Sequence, residues 1–122
     1  MKSKLIAPCG MNCALCIAYL REKKPCPGCK FMKEPTKKCK IKHCIFIKNN
    51  KLKFCSDECP KFPCIRLKTI DERYRLKYEM SMIENLKVIK YTWIRKFLKQ
   101  QKAKYISNNK IFCIHNKKYF DL

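Results

Sequence analysis

Ten of the eleven cysteines fall between Cys9 and Cys64, spaced as Cys9-x3-Cys13-x2-Cys16, Cys26-x2-Cys29, Cys39-x4-Cys44 and Cys55-x3-Cys59-x4-Cys64. Intervals of two to four residues are what a chelate needs, because two thiolates so separated can face one ion while the amides between them turn towards the sulfurs. In CPGC, Cys26 to Cys29, Pro27 restricts the turn and Gly28 permits a positive φ, the make-up of a metal-binding knuckle. The same residue types can form disulfides or reactive dithiols. An odd total of eleven cysteines weakens a closed disulfide framework, and four cysteine groups within 56 residues point to metal.

The groups divide into two sets of five. Cys9, Cys13, Cys16, Cys26 and Cys29 form the first, and Cys39, Cys44, Cys55, Cys59 and Cys64 the second. Each set offers a tetrahedral site with one thiol to spare, either from consecutive groups or in a cross-braced alternation. His43, beside Cys44, is a further donor type but reads as a solvated residue in a lysine-rich loop. All-thiolate tetrahedral sites favour zinc, two ions in all. The alternative is an iron-sulfur cluster. The spacing at Cys9, Cys13 and Cys16 is that of a cluster-binding triad in radical enzymes, and Cys26 and Cys59 each precede a proline. The chain is too short for the barrel such enzymes need.

The elements that must position these thiols differ along the chain. Residues 1–64 carry all six prolines and ten cysteines, and their apolar residues keep no helical or alternating period, which predicts a thin core that metal must staple. Residues 65–105 lack cysteine, proline and glycine and take helical spacing. Leu67, Ile70 and Tyr74 share a face after a start at Pro63. Ser81 to Glu84 reads as a capping box, with Ile83, Leu86 and Ile89 behind it. Thr92 is placed to cap a last helix striped by Ile94, Phe97, Leu98 and Tyr105, with Trp93 against the metal lobe. Residues 106–122 form a short tail, and a strand or hairpin is expected around IFCIH. The expected fold is thus a small, irregular, zinc-knuckle-rich N-terminal lobe joined to short α-helices, with little β structure.

The stretches APCGMNCALCIAYL, CPGC, CKIKHC, FCSDECPKFPC and RYRLKYEMSMIENLKVI resemble, in the same order, an uncharacterised cysteine-rich family of bacteria and archaea, catalogued as domain-of-unknown-function family 3795. The resemblance implies metal binding and no particular activity. It also implies a C-terminal ribbon-like segment of two cysteine pairs around a C-x-H-N sequence. Here only Cys113, His115 and Asn116 of that segment are present, so a third metal site is not expected.

Thirty Lys and Arg against nine Asp and Glu give a net charge of +21, and eight thiolates holding two zinc ions would lower it only to +17. Such a chain attracts polyanions at low salt, which makes nucleic acid a candidate partner through the basic surface. Twenty-five of the thirty are lysine, so base-edge readout by arginine is not expected. The other expected partner is a protein, held by an adaptor-like module. Two histidines and nine carboxylates form no acid, base or nucleophile pattern, and Asp57 and Glu58 read as solvated or loop-tuning residues. Cys113 and His115, two apart on a strand, read as a leftover ligand pair rather than as a thiol and its base. The N-terminus imitates an export signal, but Pro8, Gly10, Asn12 and three cysteines interrupt its apolar run. With no run of about 20 apolar residues to span a membrane, a cytoplasmic protein with reduced thiols is expected.

Overall fold

The computed structural model describes residues 1–29, 41, 44–57 and 59–122; Cys39, His43 and Glu58 lie outside the described residues. Two 3-10 turns, Ser3–Leu5 and Cys13–Leu15, precede α1 (Ile17–Leu20), α2 (Ile45–Asn49), α3 (Ile65–Tyr78) and α4 (Met82–Tyr105). The chain closes with β1 (Ile106–Ser107), β2 (Lys110–Phe112) and β3 (Tyr119–Asp121).

The N-terminal segment folds back at Pro8 and Cys9. Ile6 bridges Asn12 in antiparallel fashion, the Ala7 amide donates to the Met11 carbonyl at 2.8 Å, and the Gly10 amide donates to the Ala7 carbonyl at 2.9 Å. Gly10 has φ +91, and a Cβ there would lie 2.7 Å from the Met82 carbonyl oxygen and 2.9 Å from Leu86 Cγ. Only glycine satisfies both the backbone and the space. Asn85 Nδ2 donates to the Gly10 carbonyl at 3.0 Å, so the first turns of α4 hold the loop from outside. Asn12, fully buried, holds it from inside: its Oδ1 accepts from the Ala14 amide at 3.1 Å and its Nδ2 donates to Gln101 Oε1 at 3.2 Å.

The thin N-terminal core predicted from the missing periodicity is not what forms. Leu5, Ile6, Ala7, Met11, Ala14 and Leu15 are all buried, in one cluster with Leu67, Leu86, Ile89, Phe97, Ile111 and Ile114. These N-terminal residues sit on turns and 3-10 segments, where burial follows no fixed spacing. Their apolar partners are the helix stripes of the second half. All three expected segments therefore feed one core.

Helix α3 begins with Cys64 at its N-cap and ends at Glu79 in the left-handed region, φ 52. Its inner face is the expected one, with Leu67 buried and Ile70 and Tyr74 half-buried. Ser81 caps α4, its Oγ accepting from the Glu84 amide at 3.1 Å. The Glu84 carboxylate does not complete the box; it faces Lys87 at 3.7 Å. Asp71 of α3, 2 % exposed, does the reciprocal work: its Oδ1 accepts from Ser81 Oγ at 2.7 Å and from the Ile83 amide at 3.0 Å, and Arg75 Nε lies 2.9 Å from its Oδ2. One carboxylate thus ties the middle of α3 to the start of α4.

Helix α4 is broken at Trp93, which has φ 74 and ψ 155. Thr92 does not cap a new helix. Its Oγ1 donates back to the Val88 carbonyl at 2.6 Å, a bond that bends helices, and closes the first half. The stripe resumes beyond the break, with Phe97 and Tyr105 buried and Ile94 and Leu98 half-buried. Trp93 falls outside it: 80 % exposed, it does not pack against the cysteine-rich lobe as its size suggested.

The tail forms a three-stranded antiparallel sheet in the order β1-β2-β3, with Ile106 opposite Ile111 and Ile111 opposite Phe120. Asn108 and Asn109, at φ 51 and 58, make the two-residue turn that suits a twisted hairpin. Among the described residues no helix is long and apolar enough to cross a membrane.

The Gly10 contact has a direct test. Gly10→Ala combines a positive-φ penalty with an overpacked neighbour, each about 1–3 kcal/mol, so unfolding free energy is expected to fall by about 2–4 kcal/mol. Urea denaturation with an unchanged midpoint would mean that the turn does not pack on α4 in this way.

Candidate metal centre

Backbone turns aim the first group of thiols. Asn12 fixes the 3-10 turn through the Ala14 amide, the Cys16 amide donates to the Cys13 carbonyl at 3.1 Å, and Cys16 then starts α1 as its N-cap. The Cys26 amide donates to the Ala18 carbonyl at 2.7 Å, which brings the CPGC turn back over α1. Gly28 takes φ 108, and the Cys29 amide points at Cys13 Sγ at 3.5 Å. An amide directed at a sulfur is the hydrogen bond a knuckle uses to favour thiolate. The Cys29 thiol and amide hold Cys13 below the ordinary thiol range, against its burial and the neighbouring Cys16 and Cys9. Cys16 is pushed up by burial and by the nearby sulfurs of Cys29 and Cys26.

The second group is assembled from three segments. Cys44 precedes α2, its amide donating to the Ile41 carbonyl at 3.1 Å. Cys55 lies in a turn closed by Asp57, whose Oδ2 accepts from the Phe54 amide at 3.0 Å. This carboxylate shapes the loop rather than facing a ligand. The Cys55 amide donates to the Pro8 carbonyl at 2.9 Å and docks the turn beside Cys9. Cys59 accepts from the Phe62 amide through its carbonyl at 3.2 Å, and the Cys64 carbonyl accepts from the Lys68 amide at 2.9 Å as α3 begins. Cys44, Cys55, Cys59 and Cys64 line one cavity of about 470 Å³, whose remaining wall includes Ile41, Ile47, Phe62 and Leu67. Burial, with the sulfurs of Cys9, Cys64, Cys44 and Cys59 around it, drives the Cys55 thiol far up.

The sequence-predicted thiols are therefore sorted in space. Cys13, Cys16, Cys26 and Cys29 share one neighbourhood, Cys44, Cys55, Cys59 and Cys64 another, and Cys9 acts electrostatically on both. Cys39 lies outside the described residues. The ten described cysteines form no disulfide with one another. Among the described residues, no three His, Cys, Asp or Glu side chains draw as close together as the coordination shell of a bound ion.

Several positioning residues had little signal in the sequence. His115 of the C-terminal segment has no spare nitrogen: the Ile17 amide donates to its Nδ1 at 3.4 Å and its Nε2 lies 3.2 Å from the Tyr74 hydroxyl. In the neutral ring the proton then sits on Nε2. His115 packs edge-on against Tyr74 and Tyr78, and the Ile114 amide donates to the Leu15 carbonyl at 3.1 Å. The segment therefore braces the loop from Cys13 to Ile17, and Cys113 is wholly buried beneath it. Tyr74 is pushed up by burial and by the sulfurs of Cys16 and Cys9, so it remains a phenol. The one available signal was the C-x-H-N run, a chemically rich sequence in a short tail.

Burial lowers the His115 pKa below its ordinary value of about 6.5. The unfolded chain therefore takes up this proton first. The His115 contribution to stability is complete above about pH 6.5 and is lost as pH falls through that value towards the folded pKa. His115→Gln, which keeps hydrogen-bonding groups without titrating, is expected to flatten this limb of the urea midpoint against pH. Parallel curves for the two proteins would exclude the linkage.

The family model described as a protein of unknown function (DUF3795) matches residues 5–69, which take in all ten clustered cysteines and the start of α3. No curated protein and no solved structure matches the chain. The match covers more than half of the chain, and its span is the cysteine-rich segment just described, so the chain belongs to the DUF3795 family.

Proposed function

We propose that the chain is a small zinc-binding module of the reducing cytoplasm that serves as a binding or adaptor unit for a protein partner. One ion would be held by Cys13, Cys16, Cys26 and Cys29, and the second by Cys44, Cys55, Cys59 and Cys64. The observation that carries the reading is the gathering of thiols into two neighbourhoods, Cys13, Cys16, Cys26 and Cys29 in one and Cys44, Cys55, Cys59 and Cys64 in the other with Cys9 beside Cys55, from segments that the fold brings together. Soft sulfur donors suit zinc. The amide directed at Cys13 favours the thiolate that a metal needs.

Of the ten clustered cysteines, Cys9 and Cys39 then lie outside the two sets. Cys9 occupies the turn that packs on α4, and its place between the groups suits a structural thiol or a substitute ligand. Zinc so held supplies folding free energy rather than a reaction. Structural zinc is worth about 10–16 kcal/mol in apparent binding, comparable with the whole stability of a small domain at about 5–15 kcal/mol. Burial keeps Cys55 a neutral thiol, and a bound ion would take the place of its proton.

A second reading rests on the cavity itself. About 470 Å³ bounded by four cysteines and apolar side chains is more room than one ion requires, and Cys59-Pro60 lies on its wall. An iron-sulfur cluster would fit that description, and the protein would then be an electron carrier or sensor.

Metal analysis of anaerobically purified protein separates the two. Two zinc per chain without visible absorbance is expected, with Cys13→Ser and Cys55→Ser each losing about one equivalent. Iron and acid-labile sulfide with a visible charge-transfer band would replace zinc with a cluster. Metal-free protein that is fully folded would overturn both.

A further inference from the structure

The break in α4 places the largest aromatic side chain of the protein in water. Trp93 adopts φ 74 and ψ 155 in the middle of a helical segment, a costly state for any residue other than glycine. Its side chain is 80 % exposed, and that of Tyr91 is 74 % exposed. On a continuous helix Trp93 would fall in line with the buried Ile89 and Phe97; the break turns it outward instead, beside the already outward Tyr91, and the buried stripe resumes at Ile94. The surroundings are cationic throughout. From Asn85 to Phe120 there are ten Lys and Arg and no Asp or Glu. Lys90, Arg95, Lys96 and Lys99 are exposed beside the break, and Lys90 Nζ stands 5.9 Å from the Tyr91 ring centroid. On the inner side of the kink, Ile94 joins Lys4, Lys53, Leu52 and Phe54 around a groove of about 510 Å³.

We infer that the Trp93 break is a binding surface for single-stranded nucleic acid, with bases stacked on Trp93 and Tyr91 and phosphates drawn to the surrounding lysines. Each part of the arrangement matches a requirement of that ligand. Unpaired bases expose π-faces that a protruding indole can meet, while lysine neutralises the backbone without reading sequence. Duplex bases are already stacked and offer Trp93 no face. An acidic protein surface would satisfy the lysines but gives no reason to hold two aromatic rings outward. A lipid surface would need a continuous apolar face, and Leu86, Ile89 and Phe97 of α4 are buried in the core. The scarcity of arginine agrees with sequence-independent recognition. The inference uses none of the thiols, so it and the zinc reading can fail separately.

Trp93 is the only tryptophan, and its fluorescence reports on the surface directly. The full chain would be titrated with oligo(dT) of about 12 nucleotides in about 150 mM salt. Saturable quenching is expected. Trp93→Ala should weaken binding of a labelled oligonucleotide at least about fivefold, with Trp93→Phe retaining most of the affinity and circular dichroism unchanged in both. Four results would each overturn the inference. They are unquenched fluorescence on binding, equal affinity of the Trp93→Ala protein, equal competition by duplex DNA or polyglutamate, and an emission shift with phosphatidylserine vesicles but not with oligo(dT).

Discussion

The turn from Ala7 to Gly10 is the joint on which both halves of the molecule depend. Gly10 lies where a Cβ would collide with the Met82 carbonyl, so backbone meets backbone with no side chain between. Asn85 bonds the Gly10 carbonyl from α4, and the Pro8 carbonyl accepts the Cys55 amide from the second thiol group. Two distant segments are thus fastened to one turn by polar bonds, inside an apolar cluster. Bonds of this kind are modest individually, but once buried they cannot be exchanged for water without loss. The separation of the two thiol neighbourhoods, with Cys9 between them, follows from this joint.

The C-terminal sheet is the second brace. It reaches the first thiol group through Ile114 and His115, which meet Leu15 and Ile17 on either side of Cys16. His115 is a histidine beside cysteines, and its surroundings make it a neutral wedge: one nitrogen accepts a backbone amide and the other meets a tyrosine. Burial reinforces the choice, since an imidazolium could not accept from Ile17 and would be poorly hydrated there. The C-terminal segment is thereby part of the support for the loop from Cys13 to Ile17.

Carboxylates are few, and two of them work inside the fold. Asp71 joins α3 to α4 by accepting from a hydroxyl and an amide at the helix start, while Asp57 closes the turn that presents Cys55. Most of the excess positive charge stays on the surface, and along α4 it is unopposed after Glu84. Self-repulsion of this kind weakens a compact state and leaves it receptive to polyanions. The aromatic rings at the break of α4 stand within that field.

The cysteine spacing, the CPGC turn with its positive-φ glycine, the helix stripes of residues 65–105, the Ser81 cap and the basic excess were all legible in the amino-acid sequence. Each is a local property, set by intervals of two to four residues or by the helical period. Which thiols stand together was not, because sequence spacing left five candidates for each site. Long-range backbone bonds such as that from Cys55 to Pro8 set which cysteine groups lie near one another. The buried N-terminal core was hidden for the same reason: turns carry no period, and their apolar partners lie on helices far along the chain. Asp71 in place of Glu84, Gln101 against Asn12 and the outward Trp93 belong to the tertiary structure alone. Each depends on where one element ends against another, which no single segment specifies.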